Sequence, residues 1–233
     1  MKRVAILQSN YVPWKGYFGL IAAVDEFVFY EDVQYTSRDW RNRNRIQTPH
    51  GPQWLSIPVH GSLDRLLKDV QICDAGSGRA HWKRLLANYG RADFFSPVAA
   101  WLEPHYRDAP WERLSVVNRS LVAAICRYLG IGTQLSVSSD FDCAGERSQR
   151  LVSMCRQAGA DVYVSGPAAK AYLDTAAFER AGIEVAWFDY PGYPEYPQLW
   201  HQPFVHELSI LDLLFNCGPQ ARRHMRADTA VAA

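Results

Sequence analysis

A chain of 233 residues with 25 Lys and Arg against 24 Asp and Glu carries a net charge of +1, so no long-range field draws it to nucleic acid, an anionic membrane or an acidic partner. Its length buries a substantial core, as one large domain or two small ones, without metal or disulfide staples. No stretch approaches the ~18 consecutive apolar residues that a membrane span requires.

The five cysteines, Cys73, Cys126, Cys143, Cys155 and Cys217, are odd in number and include no Cys-x-x-Cys pair, which reads as reduced thiols in a cytoplasm. The apolar run after Met1-Lys2-Arg3 ends at Gln8, short of the ~7–15 residue core of a signal peptide. The expected location is therefore cytoplasmic. Aromatic residues make up 13% of the chain and include eight tryptophans, enough to leave rings for stacking on a ligand.

In chain order, residues 4–7 are apolar and end at Gln8-Ser9-Asn10, residues 17–24 are amphipathic, and residues 27–30 are apolar again. Strand, loop, helix, strand is the opening βαβ unit of a parallel sheet. Residues 35–45 read as a long polar, basic loop, and residues 54–59 as a strand whose Pro58 suits an edge. Residues 70–72 form a further short strand candidate. Apolar spacing then lengthens to helical at residues 81–89, 98–106 and 114–129, with Gly130 and Gly132 stopping the last helix.

Residues 135–141 read as a strand, 147–158 as a helix ending at Gly159, 162–164 as a buried strand, 168–181 as a helix and 185–188 as a strand. This second alternating run again favours a parallel sheet. The proline-rich stretch 191–203 is irregular, residues 208–215 are helical, and the chain then turns basic and small. The expectation is one α/β domain over residues 1–218, with a mainly parallel, Rossmann-like (nucleotidyltransferase-like) sheet and a helical insertion at about 79–130, followed by a tail, 219–233, that frays.

In such sheets ligands gather at the carboxyl ends of the strands. The loop after the first strand supplies Gln8, Asn10, Tyr11, Trp14, Lys15, Gly16 and Tyr17 ahead of a helix N-terminus, where backbone N–H groups favour anions. Lys15 brings charge, Gly16 allows close approach and the rings allow stacking; the plain alternative is a rigid aromatic turn. Asp32, Gln34 and Tyr35 follow the second strand, and Asp32 suits a hydroxyl, a metal or a proton, with a loop cap as the plain alternative.

Arg38 through Arg45 alternates guanidinium and amide. In an extended segment Arg41, Arg43 and Arg45 face one side while Asn42 and Asn44 face the other, a face able to grip phosphate or carboxylate. A solvated loop or an RNA patch are the alternatives, and the neutral net charge opposes RNA. Ser165 and Gly166, then Lys170, Tyr172 and Asp174, repeat the strand–glycine–helix pattern. Tyr193, Tyr196 and Gln198 lie among prolines as a stacking platform for a sugar or base.

His201 and His206 flank Phe204, and Asp212 shares a helix face with Asn216. The two histidines fall short of a zinc set, so no metal is expected. Cys155 and Cys217 sit in apolar helical stretches and read as core thiols, not nucleophiles.

The segments Asn10-Tyr11-Val12-Pro13-Trp14-Lys15-Gly16-Tyr17-Phe18, Asp32-Val33-Gln34-Tyr35, Arg41-Asn42-Arg43-Asn44, Ser165-Gly166, Tyr172-Leu173-Asp174, Tyr196-Pro197-Gln198 and Ser209 to Asn216 together resemble the WbqC-like protein family, and the resemblance spans nearly the whole chain. Members are associated with bacterial O-antigen and other surface-polysaccharide biosynthesis, which implies a cytoplasmic step on a nucleotide-linked sugar. Many members open the first loop with His-Gln-Pro; this chain has Leu7-Gln8-Ser9, so no general base stands there. Trp14-Lys15-Gly16-Tyr17 also occupies the place of the His-x-Gly-His signature of nucleotidyltransferase-like folds, without either histidine.

Two readings follow. One is an enzyme acting on a nucleotide-linked amino sugar, an acyl or aminoacyl transferase, with Lys15, Arg41 and Arg43 on phosphates, rings stacked on base or sugar, and Asp32 or His206 moving a proton. A nucleotide or an acyl donor is its expected small-molecule partner. The other is a non-catalytic protein of the same pathway that binds a nucleotide sugar or a partner. Both require the two ends of the sequence to meet, with Lys15 near Tyr196.

Overall fold

The computed structural model describes residues 1–60, 65–142, 145–190, 192–200, 203–225 and 231–232. Strand β1 (Arg3–Leu7) passes through helix α1 (Lys15–Ala22) to β2 (Glu26–Phe29). A hairpin of β3 (Arg43–Ile46) and β4 (Gln53–Ser56) follows, then α2 (Ser77–Tyr89), α3 (Phe95–Arg107) and α4 (Leu114–Tyr128). The chain re-enters the sheet at β5 (Gln134–Val137) and continues through α5 (Ser148–Gln157), β6 (Val162–Ser165), α6 (Thr175–Arg180) and β7 (Glu184–Phe188). Helix α7 (Ile210–Cys217) and β8 (Val231–Ala232) come last.

The sheet order is β5-β2-β1-β6-β7-β8. Every pairing from β5 to β7 is parallel, with Leu7 opposite Phe29, Phe29 opposite Val137 and Ser165 opposite Trp187, and β8 joins β7 antiparallel. This is the expected Rossmann-like α/β class. From β1 the chain winds outward to β2 and β5, then crosses to β6 and β7 on the other side. Its direction therefore reverses between β1 and β6, where neighbouring loops diverge and leave a crevice.

Alternation along the strands fills both faces. Ala5, Phe27, Phe29 and Val164 pack with α1, α4 and α7 on one face. Val4, Ile6, Val28 and Tyr163 pack with Met154, Cys155 and Phe178 on the other. Helix α4 stops as expected at Gly130, whose φ of 65° is the left-handed conformation that glycine adopts freely. The Ile131 N–H then reaches back to the Cys126 carbonyl at 2.9 Å. Among the described residues no helix is long and apolar enough to cross a membrane.

Several expectations need correction. The polar loop of residues 35–45 contains the start of β3, which pairs with β4 apart from the main sheet; cross-strand partners, invisible locally, make it a hairpin. Residues 70–72 form only isolated bridges, Val59 with Ile72 and Gln71 with Arg113. The strand expected to reach residue 141 ends at Val137, because the Asp140 carboxylate accepts the Val137 N–H at 2.9 Å and folds residues 138–140 into a 3-10 turn.

The helix expected over 168–181 breaks in two, since Asp174 caps a new start by accepting the Ala177 N–H at 3.2 Å. The first part of the tail expected to fray over 219–233 is ordered: Gly218–His224 is a 3-10 helix, with Ala221 and Met225 buried in the core.

Candidate functional site

Each parallel strand delivers its following loop to one edge of the sheet. Gln8 leaves β1, Asp32 and Gln34 follow β2, Ser165 ends β6 and Tyr190 follows β7. Two neighbouring clefts open there. Gln8 lines one and Asn10 the other, and a side chain at Gly166 would stand 3.3 Å from the Tyr190 hydroxyl, so the β6 and β7 loops touch between them.

The first cleft, about 830 Å³, lies at the reversal between β1 and β6 and is lined by Gln8, Asp32, Gln34, Arg147, Arg150 and Ser165, with Tyr30, Tyr163 and Tyr172 as its rings. Burial alone would raise the Asp32 carboxyl, but hydrogen bonds from Lys68 and Ser138 outweigh it and hold the group below the usual carboxylate range. The Ser138 hydroxyl donates to Asp32 at 2.6 Å, and Lys68 donates to the other carboxylate oxygen. Asp32 is therefore an ionised acceptor, suited to holding a hydroxyl and poorly suited to taking a proton at neutral pH.

Arg150 donates to the Asp32 carbonyl at 3.3 Å and lies 5.7 Å from the Tyr30 ring centroid. Arg147 directly precedes α5 at φ 46° and lines the same cleft. Arg147, Arg150 and Tyr30 were not singled out from the sequence. Tyr30 directly follows β2, so the strand-end rule reaches it, whereas Arg147 and Arg150 stand at the start of α5 and carry no such signal.

The second cleft, about 660 Å³, is aromatic: Trp14, Trp40, Tyr190 and Tyr193 line it with Asn10, Asn44, His206 and Glu207. Trp14 lies 5.6 Å from Tyr190 and 5.3 Å from Tyr193, centroid to centroid. Gly16 makes room for that indole, since a Cβ there would stand 2.2 Å from the Trp14 ring. The glycine thus admits a tryptophan, not a phosphate. Asn10 accepts from Arg41 through its Oδ1. His206 is half-exposed, with Nε2 4.0 Å from the Glu195 carboxylate and its ring edge-on to Phe204.

The two ends of the sequence do meet. Lys15 donates to the Pro194 carbonyl at 2.8 Å and lies 4.9 Å from the Tyr196 ring centroid and 5.5 Å from that of Tyr193. Its ammonium is buried inside this cage and lines neither cleft; burial lowers it to about 8. Beneath it, fully buried Asp212 accepts from Tyr89 and Tyr196 at 2.8 Å and from the Gln198 amide at 3.0 Å.

The model of the WbqC-like protein family matches residues 8–224. The chain belongs to that family. It is also 49% identical over 228 residues to the protein of Mycobacterium tuberculosis (strain ATCC 25618 / H37Rv) named "Uncharacterized protein Rv1507c", an alignment covering 97% of this chain and 98% of that one. No solved structure matches it.

Most of the polar residues in the motifs that resemble the WbqC-like family hold loops in this chain. Val12 stands at φ 34°, a backbone a β-branched residue rarely adopts. Asn44 Nδ2 and the Ser209 hydroxyl grip its carbonyl at 3.0 and 2.7 Å. Asn42 donates to the Ile57 carbonyl at 2.9 Å, and Tyr17 to that of Gln8 at 3.0 Å. Arg43 and Arg45 share a face over Trp54, at 4.2 and 5.8 Å. Arg41 departs from that face, because it precedes the strand and turns to Asn10. Tyr35 is buried, Arg38 is exposed in the turn before Asp39, Lys170 lies over Trp187, and Asp174 caps α6.

Tyr11 points inward, its hydroxyl 2.7 Å from His81 Nδ1 and 3.2 Å from the Tyr106 hydroxyl, while His81 Nε2 donates to the Ser56 carbonyl at 3.1 Å. Burial lowers His81 from 6.5 to about 4. The folded state binds fewer protons in that window, so stability falls as pH drops from 6.5 through 4, by on the order of 3 kcal/mol. Urea unfolding at stepped pH should show a loss that shrinks in His81→Gln; an equal acid loss in both proteins would contradict it.

His201 and Cys143 lie outside the described residues. Among the described residues no three His, Cys, Asp or Glu side chains gather as a metal-binding group. Burial raises the thiols of Cys126 and Cys155 to about 12 and that of Cys217 to about 11, which leaves them unreactive at neutral pH.

Proposed function

We propose that this chain is a cytoplasmic enzyme of surface-polysaccharide biosynthesis, of the lipopolysaccharide O-antigen type, that binds a nucleotide-linked amino sugar along the carboxyl edge of its sheet. The observation that carries the reading is the adjacency of an arginine- and tyrosine-lined crevice at the sheet's reversal point with an aromatic cleft. In it the nucleotide occupies the first cleft, with Arg147 and Arg150 on phosphate oxygens, a tyrosine under the base and Asp32 accepting a ribose hydroxyl. The sugar occupies the second cleft, where Trp14 and Tyr193 offer faces to its C–H side and Asn10 offers an amide.

The reaction proposed is acyl or aminoacyl transfer. The sugar's amino nitrogen attacks the donor's acyl carbon, its proton passes to His206 Nε2, and the bond to the donor's leaving group breaks. His206 is preferred over Asp32 as the proton acceptor because it lines the sugar cleft, while both Asp32 oxygens are already hydrogen-bonded. A non-catalytic nucleotide-sugar binder is the second reading, favoured by the raised thiols and the tied carboxylate. His206→Gln separates them: it abolishes product in the first and leaves pathway output unchanged in the second.

A thermal-shift panel of nucleotide sugars, acyl-CoA compounds and acyl adenylates tests the binding. At ~100 times its dissociation constant a nucleotide sugar should stabilise the protein by about 2.7 kcal/mol, a shift of roughly 5–10 °C, and Arg150→Ala should remove it. No shift with any compound would defeat the reading.

A further inference from the structure

The hairpin beside the aromatic cleft and the turn that leads into it carry exposed indoles. Trp40 is 42% and Trp54 39% exposed, with ring centroids 5.5 Å apart and planes tilted by 41°. Both are held. The Trp40 carbonyl accepts the Tyr11 N–H at 3.0 Å and its own N–H donates to Asp39 at 2.7 Å, while the Trp54 carbonyl accepts from Arg84 at 3.0 Å. Two adjoining exposed rings on a held backbone offer a ligand a surface to stack on.

Two observations bear on what binds. Trp40 also lines the aromatic cleft, so the ridge continues from it. Arg43, stacked 4.2 Å over Trp54, makes no side-chain hydrogen bond among the described residues, and its Nε is buried without a partner. Apolar ring surface beside unspent guanidinium donors matches a sugar ring, which has a C–H face and a rim of hydroxyl acceptors.

A protein partner would need about 1,000 Å² of surface, more than two indoles offer. A single-stranded nucleic acid would need a basic groove, whereas Arg45 is neutralised here by Glu207 at 2.7 Å and the chain's net charge is +1.

The geometry points to a second sugar-ring subsite on the Trp40–Trp54 ridge, which holds the next unit of an acceptor saccharide whose first unit enters the aromatic cleft. This rests on the reading of that cleft as a sugar site. The nucleotide-linked sugar is accordingly a saccharide of two or more units, and the ridge selects for length.

Calorimetric titration with matched mono-, di- and trisaccharides of hexose, N-acetylhexosamine and 6-deoxyhexose units tests it. In one series a second unit should tighten binding by about tenfold, and Trp54→Ala should erase that gain. Trp54→Phe, which keeps a ring, should retain part of it, so loss in alanine with retention in phenylalanine separates lost stacking from misfolding.

With 5-fluorotryptophan incorporated, the fluorine resonance of Trp54 should move with the disaccharide and not with the monosaccharide. No length gain in any series, or an undiminished gain in folded Trp54→Ala, would overturn the subsite. So would a single-stranded oligonucleotide that moves the Trp54 resonance with steep salt dependence. These titrations contain no nucleotide, so a failure of nucleotide-sugar binding leaves their result readable.

Discussion

Replacing Asp212 by alanine is expected to lower the unfolding free energy by about 3–5 kcal/mol. The carboxylate is fully buried and accepts from two tyrosine hydroxyls and one amide. Alanine leaves the Tyr89 and Tyr196 hydroxyls and the Gln198 amide without that acceptor in a place where water cannot replace it. The Tyr89 hydroxyl also accepts the Gln47 N–H at 2.8 Å, so the disturbance reaches the end of the hairpin.

Burial raises the Asp212 carboxyl, against the three donors and the nearby Lys15 that favour its charge. Asp212→Asn keeps the shape and one acceptor oxygen, and should cost about 1–3 kcal/mol. Urea unfolding with an unchanged m-value measures both. A loss under about 1 kcal/mol for alanine would show that the network does not hold the segment carrying Tyr196.

The second large effect concerns Lys15. Its ammonium is lowered from 10.5 to about 8 by burial, opposed by Cys217, Asp212 and Glu195. A folded-state value below the unfolded one means the folded protein binds fewer protons between pH 8 and 10.5. Stability should therefore rise with pH through that window, by about 1–3 kcal/mol, and Lys15→Met should flatten the rise.

Because Lys15 lines neither cleft, the same variant should bind a nucleotide sugar within about threefold of wild type, a difference below 1 kcal/mol. A loss of a hundredfold or more would return Lys15 to the phosphate-gripping role that its place in the first loop suggests.

These two residues also show where the sequence was legible. Strands β1, β2, β6 and β7 could be read because each is an apolar run buried on both faces. From them follow the parallel sheet, its reversal point and the loops that carry the site. The approach of Lys15 to Tyr196 could be inferred because both follow strands at the same sheet edge.

The identity of each polar residue's partner was not legible. A strand-end lysine, asparagine or tyrosine reads alike whether it faces a ligand or a backbone carbonyl, and here the partners are remote in sequence. Pro194 lies 179 residues from Lys15, and Ser209, which grips the Val12 carbonyl, lies 197 from it. Lys15, Tyr11 and Asn44 thus turn to partners inside the protein, while Arg147 and Arg150, at the start of α5, line the crevice.

The most direct test of nucleotide-sugar binding along this edge is a crystal structure of the protein with a nucleotide sugar selected by thermal shift. The account predicts the phosphates within hydrogen-bonding distance of Arg147 or Arg150, a ribose hydroxyl on Asp32, and the sugar against Trp14 and Tyr193. Clear density for the ligand away from both clefts, or with its sugar in the crevice and its nucleotide among the aromatic rings, would contradict it.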